Sequence, residues 1–246
     1  PPRRGPRMRP LASPRVIGIS GPTRSGKGTL AKALARTYLG EDYWGEKPGH
    51  GRKRLVAGPK EGPFRAVSFI CQDEFFDVGR IHKELDGVFD TPEALDHDAV
   101  LEAAELEIRD PCVAWVILEG FMAFHDPRLL RLLDAAIWLE VPREVTYQRR
   151  MKTKRVSRQY FDEVLWPNHE AYAGRALSRV KRCTAVATVD GTKAKDTVLQ
   201  ESVAFLAAAR AQAGPAAERR RSRSRSRRAA RRRANTPTAG ARRAGA

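Results

Sequence analysis

The chain has 246 residues and a formal net charge of +17, and its arginines are concentrated at the two ends. Residues 219–243 contain twelve arginines and no acidic residue, and residues 3–15 contain five more arginines. The residues between these segments carry nearly balanced charge, so the pI of 10.5 describes the two ends and does not indicate what the middle binds. The length accommodates one α/β domain with terminal segments.

The composition also argues against a membrane protein and a disulfide-stabilised protein. No stretch approaches the ~20 apolar residues that a transmembrane helix needs, so we expect no membrane association. The three cysteines, Cys71, Cys112 and Cys183, are odd in number and lack metal-ligand spacing. They predict reduced thiols in an intracellular protein, located in the cytoplasm, the nucleus or both. Because the sequence begins at Pro1 and not at methionine, we expect a processed or incomplete N-terminus.

Strands and helices are expected to alternate through the middle of the chain. Apolar runs predict five buried strands, at 15–20, 66–71, 113–118, 135–141 and 184–191. Helical patterns occupy 27–39, a segment from Pro92 with Thr91 as its N-cap, 143–152, 160–180 around a break at Trp166–Pro167, and 194–211. Residues 40–64 are rich in glycine, proline and lysine and predict a surface loop or an insertion.

This alternation is typical of a parallel sheet with helices on both faces. We therefore expect one α/β domain over 16–211, with a five-stranded parallel sheet and a short lid. A basic disordered segment, 1–15, would precede it, and a disordered Arg/Ser-rich tail, 212–246, would follow.

The segment GPTRSGKGTL, residues 21–30, has the spacing of a phosphate-binding loop. It follows an apolar strand and opens a helix, which is the context in which backbone N–H groups and a helix N-terminus bind phosphate. Lys27 is expected to act in catalysis, reaching between the β- and γ-phosphates of ATP. The loop predicts a three-layer fold of the P-loop NTPase type. The expected nucleotide-binding residues in it are Gly21, Thr23, Arg24, Ser25, Gly26, Lys27, Gly28 and Thr29.

Gly28 stands where the usual loop has a serine or threonine, whose hydroxyl binds Mg²⁺ directly. The order G-K-G-T resembles that of adenylate kinases, in which the later threonine bonds a phosphate. We therefore expect the loop to bind a triphosphate, with more of the Mg²⁺ binding left to carboxylates elsewhere.

Two carboxylates occupy suitable positions. Asp73 comes just after the second predicted strand, and Glu119 ends the third. Ligands bind at the carboxyl ends of strands in open parallel sheets, so both side chains are expected to face residues 21–29. One would orient Mg²⁺, and the other would accept a proton from a hydroxyl that attacks the γ-phosphate. Either residue taken alone fits a helix N-cap about as well.

Six segments occur in the same order as in nicotinamide riboside kinases, within the uridine kinase-like group of P-loop kinases. They are VIGISGPTRSGKGTLAKAL, CQDEFF, FDTPEALD, VILEGFMAF, YFDEVLWP and VDGTK. The resemblance covers about residues 15–205 and implies ATP-dependent phosphorylation of the 5′-hydroxyl of a riboside, with Mg²⁺. The segment WLEVPREVTYQRR lacks the aspartate pair usual in uridine kinases. Nicotinamide riboside is therefore the expected substrate, and uridine or cytidine is the alternative.

The resemblance also implies roles at the reacting centre. Asp73 would be the general base and would contact both the ribose 5′-hydroxyl and the metal, while Glu119 would be the second metal-linked acid. Arg150 would bind the ATP phosphates, and Lys193 would lie beside the adenine. A mobile lid would occupy about residues 151–160.

On the riboside side, the resemblance implies a binding set of Asp73, Phe76, Phe89, Asp90 and Arg149. Asp90 would bind ribose hydroxyls, and Phe89 would pack on the pyridinium ring. The chain departs from the family at three points. Phe89 replaces the tyrosine common in the animal enzymes, the segment MKTKRVSRQ is short and has no tyrosine for the other face of the base, and Gly28 replaces a threonine.

The C-terminal run RRRSRSRSRRAARRR predicts a solvated tail, or one that serves nuclear import, serine phosphorylation or RNA contact. No aromatic residue follows Leu206, so any RNA binding would be weak, electrostatic and salt-sensitive. A different function, an RNA-associated adaptor with an inactive kinase domain, is disfavoured because Lys27, Asp73, Glu119 and Arg150 are all present. We expect a monomer or a small homo-oligomer whose main partner is the riboside.

Overall fold

The computed structural model describes residues 15–39, 43–49, 52–57, 65–153 and 156–212, with the backbone alone at 43–49, 52, 53 and 57. The chain divides into two compact units, Pro1–Ala207 and Ala208–Ala246. Of the second unit only 208–212 are described, and they are helical. The predicted terminal segments, 1–14 and 213–246, lie outside the described residues, so their disorder and their contacts remain predictions.

One mixed sheet organises the first unit, and its strands and helices follow one another along the chain. The strands are β1 (Arg15–Ser20), β2 (Tyr43–Gly49), β3 (Arg52–Ala57), β4 (Arg65–Cys71), β5 (Val113–Glu119), β6 (Ala135–Glu140) and β7 (Ala185–Asp190). The helices are α1 (Lys27–Leu39), α2 (Val78–Glu84), α3 (His97–Arg109), α4 (Pro127–Leu130), α5 (Arg143–Met151), α6 (Arg158–Tyr160), α7 (Trp166–Cys183) and α8 (195–207). The strand order is β2-β3-β4-β5-β1-β6-β7.

The parallel α/β sheet predicted from the sequence is confirmed. The five predicted strands correspond to β1 and β4–β7, and each neighbouring pair among them is parallel. β1 lies between β5 and β6, and its residues Val16, Ile17 and Ile19 are at most 1% exposed, as a strand covered on both faces requires. Helices pack against both faces of the sheet, with α1 against β4 and β5 and α3 also against them from the other side.

The prediction of a surface loop over 40–64 is wrong for 43–49 and 52–57, and the other residues of 40–64 lie outside the described residues. These two stretches form β2 and β3, an antiparallel pair that extends the sheet beside β4. The strands could not be predicted from this composition of glycine, proline and lysine. An edge strand such as β2 tolerates proline and needs little apolar surface. Leu55 and Val56 are at most 1% exposed, so β3 contributes to the core.

The helix predicted from Pro92 begins later, at His97. Residues Pro92–Ala94 form a single 3₁₀ turn, and Thr91 makes no capping hydrogen bond. Leu95 is extended and pairs with Phe76, which interrupts the helix. The true N-cap of α3 is Asp96, whose Oδ1 accepts a hydrogen bond of 2.9 Å from the Ala99 N–H.

The break expected at Trp166–Pro167 is also absent. Residues Phe161–Leu165 form a π-helical turn that leads directly into α7, and Pro167 lies in the first turn of α7. The short helices α2 and α4 were not predicted. Across the described residues, no helix has the length and apolar character to span a membrane.

The register of the parallel strands creates the site. Ile19 of β1 and Cys71 of β4 both pair with Glu119 of β5, so the carboxyl ends of three neighbouring strands meet at one edge of the sheet. The loop between β1 and α1 and the turn after β4 start at this edge.

Candidate active site

The loop after β1 is built from backbone conformations that few side chains permit. Gly21 has a φ of 147° and Gly26 a φ of 98°, while Arg24 has a φ of 58°. A side chain at Gly21 would also collide with the carbonyl oxygen of Leu139 on β6. The first hydrogen bond of α1 runs from the Leu30 N–H to the Gly26 carbonyl oxygen, 2.9 Å. The glycine-rich segment therefore turns directly into a helix N-terminus, as its sequence predicts.

Lys27 is half-buried at the beginning of α1, with its ammonium group held by the loop. Its Nζ donates to the carbonyl oxygens of Gly21, at 3.2 Å, and Pro22, at 2.8 Å. Burial lowers the pKa of Lys27, and the carboxylates of Glu119 and Asp73 oppose that shift. A partly desolvated cation whose charge is maintained by two nearby carboxylates is well suited to bind the negative oxygens of a phosphate.

A cavity of about 600 Å³ opens beside this loop. It combines the cations of the loop with the carboxylates at the strand ends and the ring of Phe121. Nine of the predicted site residues line it: Thr23, Arg24, Gly26, Lys27, Gly28, Thr29, Asp73, Glu119 and Arg150.

The two predicted carboxylates enter this cavity from different elements. Asp73 lies in the 3₁₀ turn Gln72–Phe75 after β4, and Glu119 is the last residue of β5. Burial raises the pKa of Glu119, whereas the positive charge of Lys27 and a hydrogen bond with Cys71 lower it. Burial likewise raises the pKa of the Cys71 thiol, so Cys71 acts as the donor to the Glu119 carboxylate.

The structure accounts for the glycine at position 28. A Cβ built at Gly28 would lie 3.3 Å from Oε1 of Glu119, which is tighter than an ordinary van der Waals contact. The carboxylate of Glu119 therefore stands next to the place where the usual loop carries its hydroxyl. Mg²⁺ is commonly held by one or two carboxylates together with substrate phosphates, and Asp73 and Glu119 fit that pattern.

Asp90 lies beyond the phosphate loop, where Tyr160 contacts it. The hydroxyl of Tyr160 donates to Oδ2 of Asp90 at 3.1 Å. Burial raises the pKa of Asp90, while Arg150 and Tyr160 lower it. Asp90 lines a second cavity of about 260 Å³ that also includes His125 and Asn168. Tyr160 was not predicted as a site residue, although it begins the segment YFDEVLWP, because the resemblance gives this tyrosine no role.

The predicted aromatic residues cluster together. The rings of Phe76 and Phe89 meet edge to face with centroids 5.2 Å apart, and the ring of Phe121 lies 6.1 Å from that of Phe76. Phe121 was not predicted as a site residue, although it follows Glu119 by two positions and lines the larger cavity. These three rings, the phenylalanine cluster, provide an apolar surface adjacent to Asp90 in the sequence, and Phe121 extends it to the cavity that Asp73 and Glu119 line.

The two arginines at the end of α5 point to different partners. Arg150 donates from Nη1 to Oγ1 of Thr23 at 2.7 Å and lines the larger cavity. Arg149 instead donates to the carbonyl oxygen of Gly191 at 2.9 Å, in the loop after β7. Lys193 of the same loop pairs with Glu201 at 2.6 Å. The structure thus places Arg149 with Lys193, and it does not bring Arg149 to Asp90 or to the phenylalanine cluster.

Comparison with known proteins points to nucleoside kinases. No family model matches the chain. Uridine kinases from Shewanella sp. strain ANA-3 and Shewanella baltica strain OS155 match 161 residues at 25% identity. The chain is similar to uridine kinases. The match covers 55% of this chain and 66% of those kinases, slightly less than two thirds of their length.

Two solved structures of small-molecule kinases also align with the chain. A gluconokinase from Sinorhizobium meliloti 1021 has a TM-score of 0.47 and 16% identity, with 80% of this chain and 93% of that chain covered. A shikimate kinase from Bacteroides thetaiotaomicron has a TM-score of 0.47 and 17% identity, with 78% and 98% covered.

Proposed function

We propose that this protein transfers the γ-phosphate of ATP to the 5′-hydroxyl of a ribonucleoside, and that the nucleoside is nicotinamide riboside. The observation that carries the proposal is one cavity lined by Lys27, Asp73, Glu119 and Arg150 beside a glycine-rich loop and a helix N-terminus. The similarity to uridine kinases supports the same class of reaction. The product would be nicotinamide mononucleotide, a precursor of NAD.

The residues of the cavity suit phosphoryl transfer, which depends on positioning and on neutralising charge. Lys27 and Arg150 would bind phosphate oxygens. Asp73 would accept the proton of the attacking 5′-hydroxyl, since a neutral hydroxyl needs a base. Asp73 and Glu119 would hold Mg²⁺, which neutralises phosphate charge when bound.

The riboside would lie towards Asp90 and the phenylalanine cluster. A half-buried carboxylate such as Asp90 accepts hydrogen bonds from ribose hydroxyls, and it is electrostatically linked to Arg150 and Asp73. The face of Phe89 would stabilise a cationic pyridinium by about 0.5–2 kcal/mol more than a neutral ring. This difference supports nicotinamide riboside as the substrate.

Uridine or cytidine is the second candidate, and two observations favour it. The curated relatives are uridine kinases. The cavity beside Asp90 is also lined by His125, Asn168 and Arg179, whose polar groups suit the carbonyl oxygens of a neutral pyrimidine.

A phosphorylation assay with purified protein tests both candidates. ADP formation is measured with nicotinamide riboside, uridine, cytidine and adenosine, and Lys27→Ala serves as the inactive control. The proposal expects the highest kcat/KM with nicotinamide riboside and no turnover by Lys27→Ala. A higher kcat/KM with uridine or cytidine would make that nucleoside the substrate in place of nicotinamide riboside. If the protein phosphorylates none of the four nucleosides, the proposed riboside phosphorylation is refuted.

A further inference from the structure

Tyr160 contacts a residue of the proposed riboside site, although the sequence analysis assigns Tyr160 no role. Its hydroxyl donates to Oδ2 of Asp90 at 3.1 Å, across 70 positions of sequence. Asp90 lies beside the first residues of the turn Pro92–Ala94, while Tyr160 ends α6, at the far end of the predicted lid. The hydrogen bond therefore joins the proposed riboside site to the lid.

The tyrosine is held firmly enough to act as a fixed donor. The Oγ of Ser157 caps α6 by accepting from the Tyr160 N–H at 3.0 Å. The ring packs against the cluster of Phe161, Leu165 and Trp166, which are at most 9% exposed. Burial and the neighbouring Asp90 carboxylate raise the pKa of Tyr160 to about 12, so the hydroxyl keeps its proton at neutral pH.

Salt bridges tie this end of the lid to α5, the helix that carries Arg150. Asp162 pairs with Arg143 and with Arg158, both at 2.7 Å, and Arg158 also pairs with Glu144 at 3.0 Å. Arg143 and Glu144 open α5, and Arg150 lies at its end.

Arg150 connects this arrangement to the phosphate loop. It bonds Thr23 of the loop, and its charge acts on both Asp90 and Tyr160. These side chains thus link the loop to the lid through two hydrogen bonds, Arg150–Thr23 and Tyr160–Asp90, and through the charge of Arg150 acting on Asp90. Within this set, Asp90 is the carboxylate that would receive the ribose.

We propose that Tyr160 is a positioning residue that holds the Asp90 carboxylate, through Oδ2, in the orientation that accepts the ribose hydroxyls. This inference rests on the proposed phosphorylation of a riboside. One oxygen of Asp90 is occupied by the tyrosine, which leaves Oδ1 to bind the sugar. Tyr160 thereby contributes to riboside selection without contacting the reacting atoms.

The kinetic test compares Tyr160→Phe with Tyr147→Phe in the full chain. Tyr147 packs on Phe161 in the same cluster and lies under Arg158, so its replacement probes the cluster without changing Asp90. Loss of a hydrogen bond to a carboxylate is expected to raise the riboside KM of Tyr160→Phe about ten-fold, with kcat and ATP KM nearly unchanged. The preference for the riboside over its 2′- and 3′-deoxy analogues should fall as well. Equal riboside KM values for the two variants would overturn the proposal.

A second measurement is independent of the substrate. The pKa of Asp90 is followed by carbon NMR of protein labelled at the aspartate carboxyls, with Asp90→Asn used for assignment. Since the hydrogen bond from Tyr160 lowers this pKa while Arg150 and Asp73 remain, Tyr160→Phe should raise it and Tyr147→Phe should not. An unchanged Asp90 pKa would overturn the positioning role. If the pKa rises but no riboside is phosphorylated by the unmodified protein, the contact stands and the proposed function fails.

Discussion

At the scale of single residues, position 28 shows how a departure from a motif is compensated by a neighbour. The sequence predicts that Mg²⁺ binding shifts from a loop hydroxyl to carboxylates, but it does not reveal which carboxylate takes that place. The structure puts Oε1 of Glu119 within 3.3 Å of a Cβ at Gly28. The glycine therefore provides the space that Glu119 needs, in addition to removing a metal ligand.

This geometry predicts that two small substitutions at Gly28 change the Mg²⁺ requirement to different extents. Gly28→Ala adds a methyl group that pushes the Glu119 carboxylate aside and contributes no ligand, so we expect a several-fold higher Mg²⁺ concentration at half-maximal rate. Gly28→Ser brings the same Cβ together with a hard oxygen ligand, so its Mg²⁺ requirement should be lower than that of Gly28→Ala. Titration of the rate with Mg²⁺ measures both. Identical curves for the two variants would show that residue 28 does not face the metal.

The two carboxylates should separate in kinetics because only one is the proposed base. Asp73→Asn should reduce kcat by about 10²–10⁴-fold, and added Mg²⁺ should not restore it, since the proton acceptor is lost. Glu119→Gln should raise the Mg²⁺ requirement and recover much of its rate at high Mg²⁺. Single-turnover rates at several Mg²⁺ concentrations test this, and recovery of Asp73→Asn by Mg²⁺ would contradict its role as base.

At the scale of elements, the sequence predicts the parallel strands better than the rest of the sheet. Runs such as VIGIS and VAWVIL are apolar on both faces, and that pattern is typical of a strand covered by helices on each side. Strand β3 was missed in part because its charged residue Arg54 is paired through tertiary contacts that no local pattern shows. Arg54 of β3 forms two hydrogen bonds with Glu107 of α3, at 2.7 and 2.9 Å, and pairs with Asp110.

The residues of the candidate site likewise divide into those that the sequence predicts and those that only the structure shows. Residues 21–29, Asp73 and Glu119 were predictable because each immediately follows or ends an apolar strand, and strand ends converge in parallel sheets. Tyr160 and Phe121 could not be placed from sequence, since their positions depend on how the lid and the turn after β5 fold back. Arg149 and Arg150 are adjacent, and only the orientation of α5 decides which of them lines the cavity.

The contact between β3 and α3 should be a major source of stability. The side chain of Glu107 is 1% exposed, and that of Arg54 is 22% exposed. Arg54→Met removes the two hydrogen bonds to the buried Glu107 carboxylate and the ion pair with Asp110, so we expect the free energy of unfolding to fall by about 2–4 kcal/mol. Arg80→Met is the matched control, because the Arg80–Glu84 pair is exposed and should contribute less than about 1 kcal/mol. Urea unfolding measures both, and equal losses would contradict the importance of the buried pair.

At the scale of the whole molecule, charge and proposed catalysis occupy different parts of the chain. Every residue of the candidate site lies within 15–207, where acidic and basic residues nearly balance, and the arginine-rich run begins at 219. The charge of +17 therefore says little about the reaction, and the reaction says little about the purpose of the arginines.

Removal of residues 213–246 tests this separation. The shortened chain keeps every residue proposed for ATP, riboside and Mg²⁺, so its kcat/KM should remain within about two-fold of the full chain, a difference below about 0.5 kcal/mol.

The full chain should bind single-stranded RNA weakly, with an affinity that falls steeply between about 50 and 200 mM salt because arginines displace counterions from phosphates. The shortened chain should lose that binding, and replacing the arginines of 219–233 by glutamine in the full chain should have the same effect without changing kcat/KM. A loss of phosphorylation on truncation would show that the tail belongs to the catalytic unit, and salt-insensitive RNA binding would show contacts other than those of arginine with phosphate.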